Sequence, residues 1–252
     1  IFRLIEVLFH TVRNSKKAIV FHHMSPRTAV LLGPFLRLFN IPQGLWYSHS
    51  VASLELQVAR HFVNVLFTSS ESAIPIRSQK TKYIGHGIST ELFKNTNQSN
   101  RDRMSITSVG RITRIKNLEI ILNEILGLEN DIQKAVNVEF VGGIQDIDYR
   151  NTLEQNAKSN DVKLRFCDSV PYNKLSEYYN CKSIYFTGTP KSIDKATIEA
   201  AFCGCFIVSR NPDALRLTGM QNLYGDIGEN KMPSIKDQLS QIANLDFEAE
   251  IM

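Results

Sequence analysis

Residues 187–209 constrain the fold more than any other stretch of the chain. Ser183–Phe186 and Cys205–Ser209 are short apolar runs that read as buried strands, with a polar loop and a helix of Lys195 to Cys203 between them. Two buried strands joined through a helix make a βαβ unit, and such a unit needs a parallel sheet. Asp194 stands where a side-chain oxygen accepts an orphan N–H of the first helical turn, and Gly204 where a left-handed residue closes the helix. Ala196, Ala200 and Ala201 keep that helix slim enough to lie close on a sheet.

The same alternation runs through the whole chain. Ile1, Leu4, Ile5, Leu8 and Phe9 form the stripe of an amphipathic helix over residues 1–14. Strands are predicted at Ala18–Phe21, Leu45–Tyr47, Val63–Phe67 and Lys82–Ile84, and helices at Pro26–Phe39, with a kink at Gly33-Pro34, and at Leu54–His61. Asn95–Arg103 is polar, lacks apolar anchors and reads as a linker. Beyond it the pattern restarts, with strands at Ser105–Val109, Val136–Val141 and Val162–Phe166. Helices follow at Leu118–Leu126, Tyr149–Asn160 and Leu175–Tyr179. After the opening stretch come a short strand at Asn222–Tyr224 and a helix at Ile235–Ala243. The chain is therefore an α/β protein of two parallel-sheet domains, 1–95 and 104–252.

Composition excludes more than it selects. The 252 residues suffice for two domains, and 43% apolar with 21% charged residues is ordinary for a globular chain. A net charge of +4 is too mild to argue for nucleic acid; it is compatible with anionic small ligands or loose contact with an acidic membrane surface. Cys167, Cys181, Cys203 and Cys205 fit neither zinc spacing nor a disulfide framework. They read as reduced and mostly buried, which points to the cytosol; neither a metal nor a cofactor is expected. No apolar run approaches a membrane span, and Ile1-Phe2-Arg3-Leu4 reads as mid-protein helix rather than a signal peptide. The chain does not begin with Met, its first half offers four strands where a doubly wound domain usually has five or six, and the glycine-rich first turn is missing. The expectation is a first domain lacking its N-terminal segment.

The polar residues of the second half gather at one edge. Gly110-Arg111, Gly142-Gly143, Asp168–Pro171 and Gly188–Asp194 all follow strands, so in a parallel sheet they line the carboxyl rim, where ligands bind. Arg111 and Lys116, beside a helix start predicted at Asn117, suit a diphosphate: a planar fork, a point charge and the helix end. Glu199 can accept two hydrogen bonds at once, as a vicinal diol such as the 2′,3′ pair of a ribose offers.

The ordered series S-V-G-R-I-T-R-I-K-N (108–117), V-E-F-V-G-G, R-F-C-D-S-V-P-Y and T-I-E-A-A-F-C-G-C-F-I-V-S resembles the C-terminal half of the family 4 glycosyltransferases. L-W-Y-S-H-S, V-L-F-T-S-S and Y-I-G-H-G-I-S-T-E-L-F resemble the second half of that family's N-terminal domain, so the likeness covers residues 18–210. The resemblance implies a GT-B architecture, two Rossmann-like domains facing a cleft, and retaining transfer of a sugar from a UDP-, GDP- or ADP-sugar. The acceptor would be a glycan, polysaccharide or lipid-linked molecule, and the site cytoplasmic or peripheral to the inner face of the membrane. Carried over, Arg111 and Lys116 at Gly110 hold the donor diphosphate and stabilise the leaving group, and Glu199 holds the ribose. The loop 168–172, with Val170 and Pro171, holds the base; Lys191, Ser192, Ile193, Asp194 and Lys195 face donor sugar and phosphate. His49 positions acceptor or donor; His22, His23 and His86 also end strands.

Three departures bear on activity. The family's first glutamate, eight positions before Glu199, is Lys191 here; Asp168 replaces a glycine before Val170-Pro171; and the glycine-rich N-terminal loop is absent. A GT-B phosphorylase or epimerase, and a degenerate protein that binds a nucleotide sugar or a partner without turnover, therefore stand as alternatives.

Overall fold

The computed structural model describes residues 2–14, 17–49, 51–96, 101–190, 193–224 and 234–244. The chain divides into two compact units, 1–86 and 87–252.

The first unit is a four-stranded, wholly parallel sheet in sequential order: β1 (Val20–His23), β2 (Gln43–Trp46), β3 (Val65–Thr68) and β4 (Thr81–Tyr83). Three helices accompany it: α1 (Phe2–Arg13), α2 (Pro26–Leu38) and α3 (Leu54–Phe62). Helix α2 runs as one element through Gly33-Pro34, as expected. Packing also calls for glycine at position 33: a Cβ there would lie 2.5 Å from the Phe62 Cβ of α3. Ala29, Leu45, Leu56, Ala59, Val63 and Leu66 form the buried centre. Ser53 caps α3 through its side chain, and the Lys80 ammonium closes the other end by donating to the Arg60 and Val63 carbonyls at 3.0 and 2.8 Å.

The second unit holds a five-stranded parallel sheet of β5 (Asp102–Val109), β6 (Asn137–Val141), β7 (Lys163–Cys167), β8 (Lys182–Thr187) and β9 (Phe206–Ser209), in the order β7-β6-β5-β8-β9. Strands β5, β6, β8 and β9 are buried along most of their length, as strands with both faces covered are, whereas the edge strand β7 is not. Helices α4 (Glu119–Ile125), α6 (Ile147–Ser159) and α11 (Ile235–Ala243) form one group, with α4 touching both others; α7 (Leu175–Asn180) packs with α8 (Lys195–Phe202). Among the described residues the unit also has three short helices: α5 (Asn130–Ala135), α9 (Pro212–Leu217) and α10 (Gln221–Tyr224). The strand predicted at Asn222–Tyr224 is thus helical; Tyr224 is buried, and its hydroxyl donates to the Ile207 carbonyl at 3.0 Å.

The units part at 86/87, earlier than the polar stretch 95–103 suggests. Phe93 explains the difference. It is fully buried in the second core, with its ring 6.2 Å from Tyr179 and 5.4 Å from Tyr172. Asn180 clasps the same segment by accepting from Thr96 N–H and donating to the Lys94 carbonyl, at 2.8 and 3.0 Å. Arg101, read as linker, donates to the carbonyls of Lys182 and Cys203. None of the four cysteines is in a disulfide; Cys203 and Cys205 are buried, but Cys167 is half-buried and Cys181 exposed, so the set is less buried than expected.

Candidate ligand site at the carboxyl edge of the second sheet

From β5 the chain moves outward to β6 and β7, then crosses back to β8 on the other side of β5. Neighbouring strands whose connections leave in opposite directions open a crevice at their carboxyl ends. Here that point lies between Gly110-Arg111, after β5, and Gly188-Thr189, after β8. The loops around it meet backbone to backbone. A Cβ on Gly188 would stand 2.4 Å from the Lys116 carbonyl oxygen, and one on Gly142, whose φ is +140°, would stand 2.1 Å from the Gly110 oxygen. Side chains at these positions would force the rim apart, which is the physical reason for glycine in both.

Lys116 ends a 3-10 turn (Arg114–Lys116) and is followed by Asn117 in the left-handed region, φ 47°. Asn117 is thus not the helix start that was expected; α4 begins at Glu119, and the Asn117 side chain instead donates to the Gly188 carbonyl at 3.0 Å. The Lys116 ammonium lies over Gly110, 3.5 Å from where a Cβ would be, and pairs with the Asp194 carboxylate. Asp194 has the backbone of an N-cap, φ −76° and ψ 146°, but its side chain caps nothing. The predicted cap is replaced because a charge-assisted bond to an ammonium outweighs one to a neutral amide.

Glu199 is buried at 3% exposure on α8. Burial pushes its carboxyl above the usual range, while the nearby Lys195 charge and a hydrogen bond from the Tyr172 hydroxyl draw it back. Tyr172 was read only as the end of the base loop; burial raises the pKa of its hydroxyl, and so does its nearness to Glu199, which the sequence left unseen. Arg111 is exposed on the same rim, its guanidinium 3.4 Å from Gln145 Oε1. Val170 packs partly on the core, while Pro171 is exposed and its carbonyl accepts from Lys174 N–H at 2.8 Å. Ile193 is buried with Ile198, Ala214 and Ile88, so it anchors the loop rather than presenting a side chain. Lys195 is exposed at the start of α8. Lys191 and Ser192 lie outside the described residues.

His49 belongs to the first unit, after β2, where its Nδ1 accepts from Val51 N–H at 3.1 Å. His22 is buried and meets Thr28 Oγ1 at 3.0 Å; burial lowers its pKa. His23 is exposed at the end of β1, and His86 lies 5.8 Å from the Trp46 ring. Among the described residues no group of three or more His, Cys, Asp or Glu could hold a metal ion, and no helix is long and apolar enough to cross a membrane.

A cavity of 360 Å³ opens at the other end of the sheet, among residues that start strands, Asp102, Asn137, Lys163 and Lys182. Its central carboxylate, Glu139, is already met by Lys182 at 2.7 Å, Tyr178 at 2.8 Å and Arg165. That is a closed ion-pair network, and the carboxyl-end rim is the better candidate site.

No protein-family profile matches this sequence, and no curated protein does. Solved structures do. HepE from Anabaena, crystallised with UDP, superposes with a TM-score of 0.64 at 13% identity, over 94% of this chain and 77% of its own. Sucrose-phosphate synthase from Thermosynechococcus elongatus gives 0.62 at 16% identity, over 98% and 75%. AviGT4, a glycosyltransferase involved in avilamycin A biosynthesis, gives 0.65 at 11% identity, over 97% and 71%. At these identities the likeness shows the fold: two Rossmann-like parallel-sheet units of the GT-B type.

Proposed function

We propose that this protein is a retaining glycosyltransferase that moves a sugar from a nucleoside-diphosphate sugar to a glycan, polysaccharide or lipid-linked acceptor. The observations that carry the reading are a lysine held over a glycine at the switch point and a buried glutamate on the helix that follows β8. The names of the structural neighbours support it: one was solved with UDP, and another is a glycosyltransferase.

In this reading Glu199 accepts both ribose hydroxyls, held ready by Tyr172. Lys116 and Arg111 take the diphosphate. As the glycosidic bond breaks, negative charge grows on the leaving phosphate, and cations already in place stabilise it without reorganisation. The loop 168–172 borders the base, Lys195 at the start of α8 faces sugar and phosphate, and His49 serves the acceptor side. A second reading, nucleotide-sugar binding without turnover, is favoured by Lys191 in place of the family's glutamate.

Thermal melts with UDP, GDP, ADP and their sugar esters test the site. A ligand bound only by the native state at a hundred times its Kd adds about 2.7 kcal/mol of stability. One base is expected to raise the melting temperature of the wild type, and Arg111→Ala to reduce that rise at equal ligand. A folded wild type that responds to none of them contradicts the donor site. Analysis of products then separates transfer, which yields glycosylated acceptor and free nucleotide, from binding alone.

A further inference from the structure

The ion pair between Lys116 and Asp194 crosses the crevice: Lys116 follows β5, and Asp194 stands between β8 and α8. Both side chains are partly buried, at 20% and 34% exposure. The carboxylate leaves the α8 N–H groups uncapped in order to hold the ammonium. The cation that the diphosphate needs is therefore already paired with a protein anion, and that anion remains beside any phosphate Lys116 accepts.

We propose that Asp194 determines which form of the nucleotide the site retains, by disfavouring the free nucleoside diphosphate relative to its sugar ester. This rests on the reading of Lys116 as a diphosphate ligand. The chemistry is one of charge. In the sugar ester each phosphate carries a single negative charge. In the free diphosphate the terminal phosphate ionises a second time, with a pKa of about 6, and gains another at neutral pH. A fixed carboxylate beside Lys116 repels that extra charge, while the ester, lacking it, is penalised less. Asp194 thus lowers affinity for the spent nucleotide and favours its release after sugar transfer, at the cost of some affinity for the donor.

The test is calorimetric titration of UDP and UDP-glucose, GDP and GDP-mannose, and ADP and ADP-glucose into wild type, Asp194→Asn and Lys116→Ala. Asparagine preserves size and the capping capacity of the position; Asp194→Ser, also a good cap, serves as second variant if the first fails to fold. Asp194→Asn is expected to tighten the free diphosphate about tenfold and its sugar ester less than threefold, so that the ratio of the two dissociation constants shifts toward product. Equal tightening of both, no change, or weakening of the free diphosphate would overturn the proposal. If Lys116→Ala loses affinity while Asp194→Asn leaves the ratio unchanged, only the role of Asp194 falls. If neither ligand class binds any of the proteins, the donor-site reading falls with it.

Discussion

Replacing Gly142 with alanine is expected to destabilise the second unit by about 3 kcal/mol or more, or to prevent its folding. Two penalties coincide there. Its φ of +140° is strained for any residue with a Cβ, and that Cβ would sit 2.1 Å from the Gly110 oxygen and 2.8 Å from the Gly110 carbonyl carbon. The clash is with backbone, so no side chain can swing away. Relief would pull the β5 and β6 ends apart, where Gly110 N–H donates to the Val141 carbonyl at 2.8 Å and Gly142 N–H to Cys167 at 3.0 Å. Gly143 is the internal control: a Cβ there meets nothing within 4 Å, and its alanine variant should lie within about 0.5 kcal/mol of wild type. Urea denaturation of the two variants checks this, and equal stabilities would mean that the loops do not meet as described.

Glu199→Gln is expected to separate stability from binding. The wild-type carboxyl is pushed above its ordinary value of 4.5, chiefly by burial. The folded protein therefore binds more protons than the unfolded chain in the range just above 4.5. This contribution to stability is fully present below that value and is lost as pH rises through the folded pKa. The glutamine variant lacks that loss, so at pH 8 its melting temperature should equal or exceed that of wild type. Ligand affinity moves the other way, because a diol needs the ionised, twofold acceptor. Affinity of the wild type for a ribonucleotide should rise with pH over the same range. The variant should bind about 10–100-fold more weakly at pH 8, the worth of a hydrogen bond to a charged group, and show little of that pH dependence. Melts and titrations at pH 5 and 8 measure both.

How much of this the sequence disclosed depended on the range of the interactions involved. Buried parallel strands announce themselves as apolar runs, and all nine strands among the described residues were placed to within a few residues, β5 departing most because it starts at Asp102. The helix Ile235–Ala243 was predicted with the bounds it has, and Ser234 caps it. Helix α9 was not predicted, although Asn211 caps it and Pro212 stands at its start. The end of the first unit was hidden because Phe93 is a lone aromatic in polar surroundings, and only the tertiary structure reveals that Tyr179 receives it. Within the site, the residue types on the rim were legible from position after a strand. The partnerships were not: Lys116 with Asp194, and Tyr172 with Glu199, join residues far apart in sequence, and the first of them displaced a cap that local chemistry favoured.

The most direct measurement compares a ribonucleoside diphosphate with its 2′,3′-dideoxy analogue on wild type and Glu199→Gln, using whichever base the thermal melts select. If the rim is a nucleotide-sugar site with Glu199 on the ribose, removing the diol costs the wild type about 10–100-fold in affinity and costs the variant little, a clear coupling between one side chain and two hydroxyls. If both nucleotides bind wild type and variant alike, Glu199 does not touch the ribose, and the assignment of this edge as the donor site is contradicted.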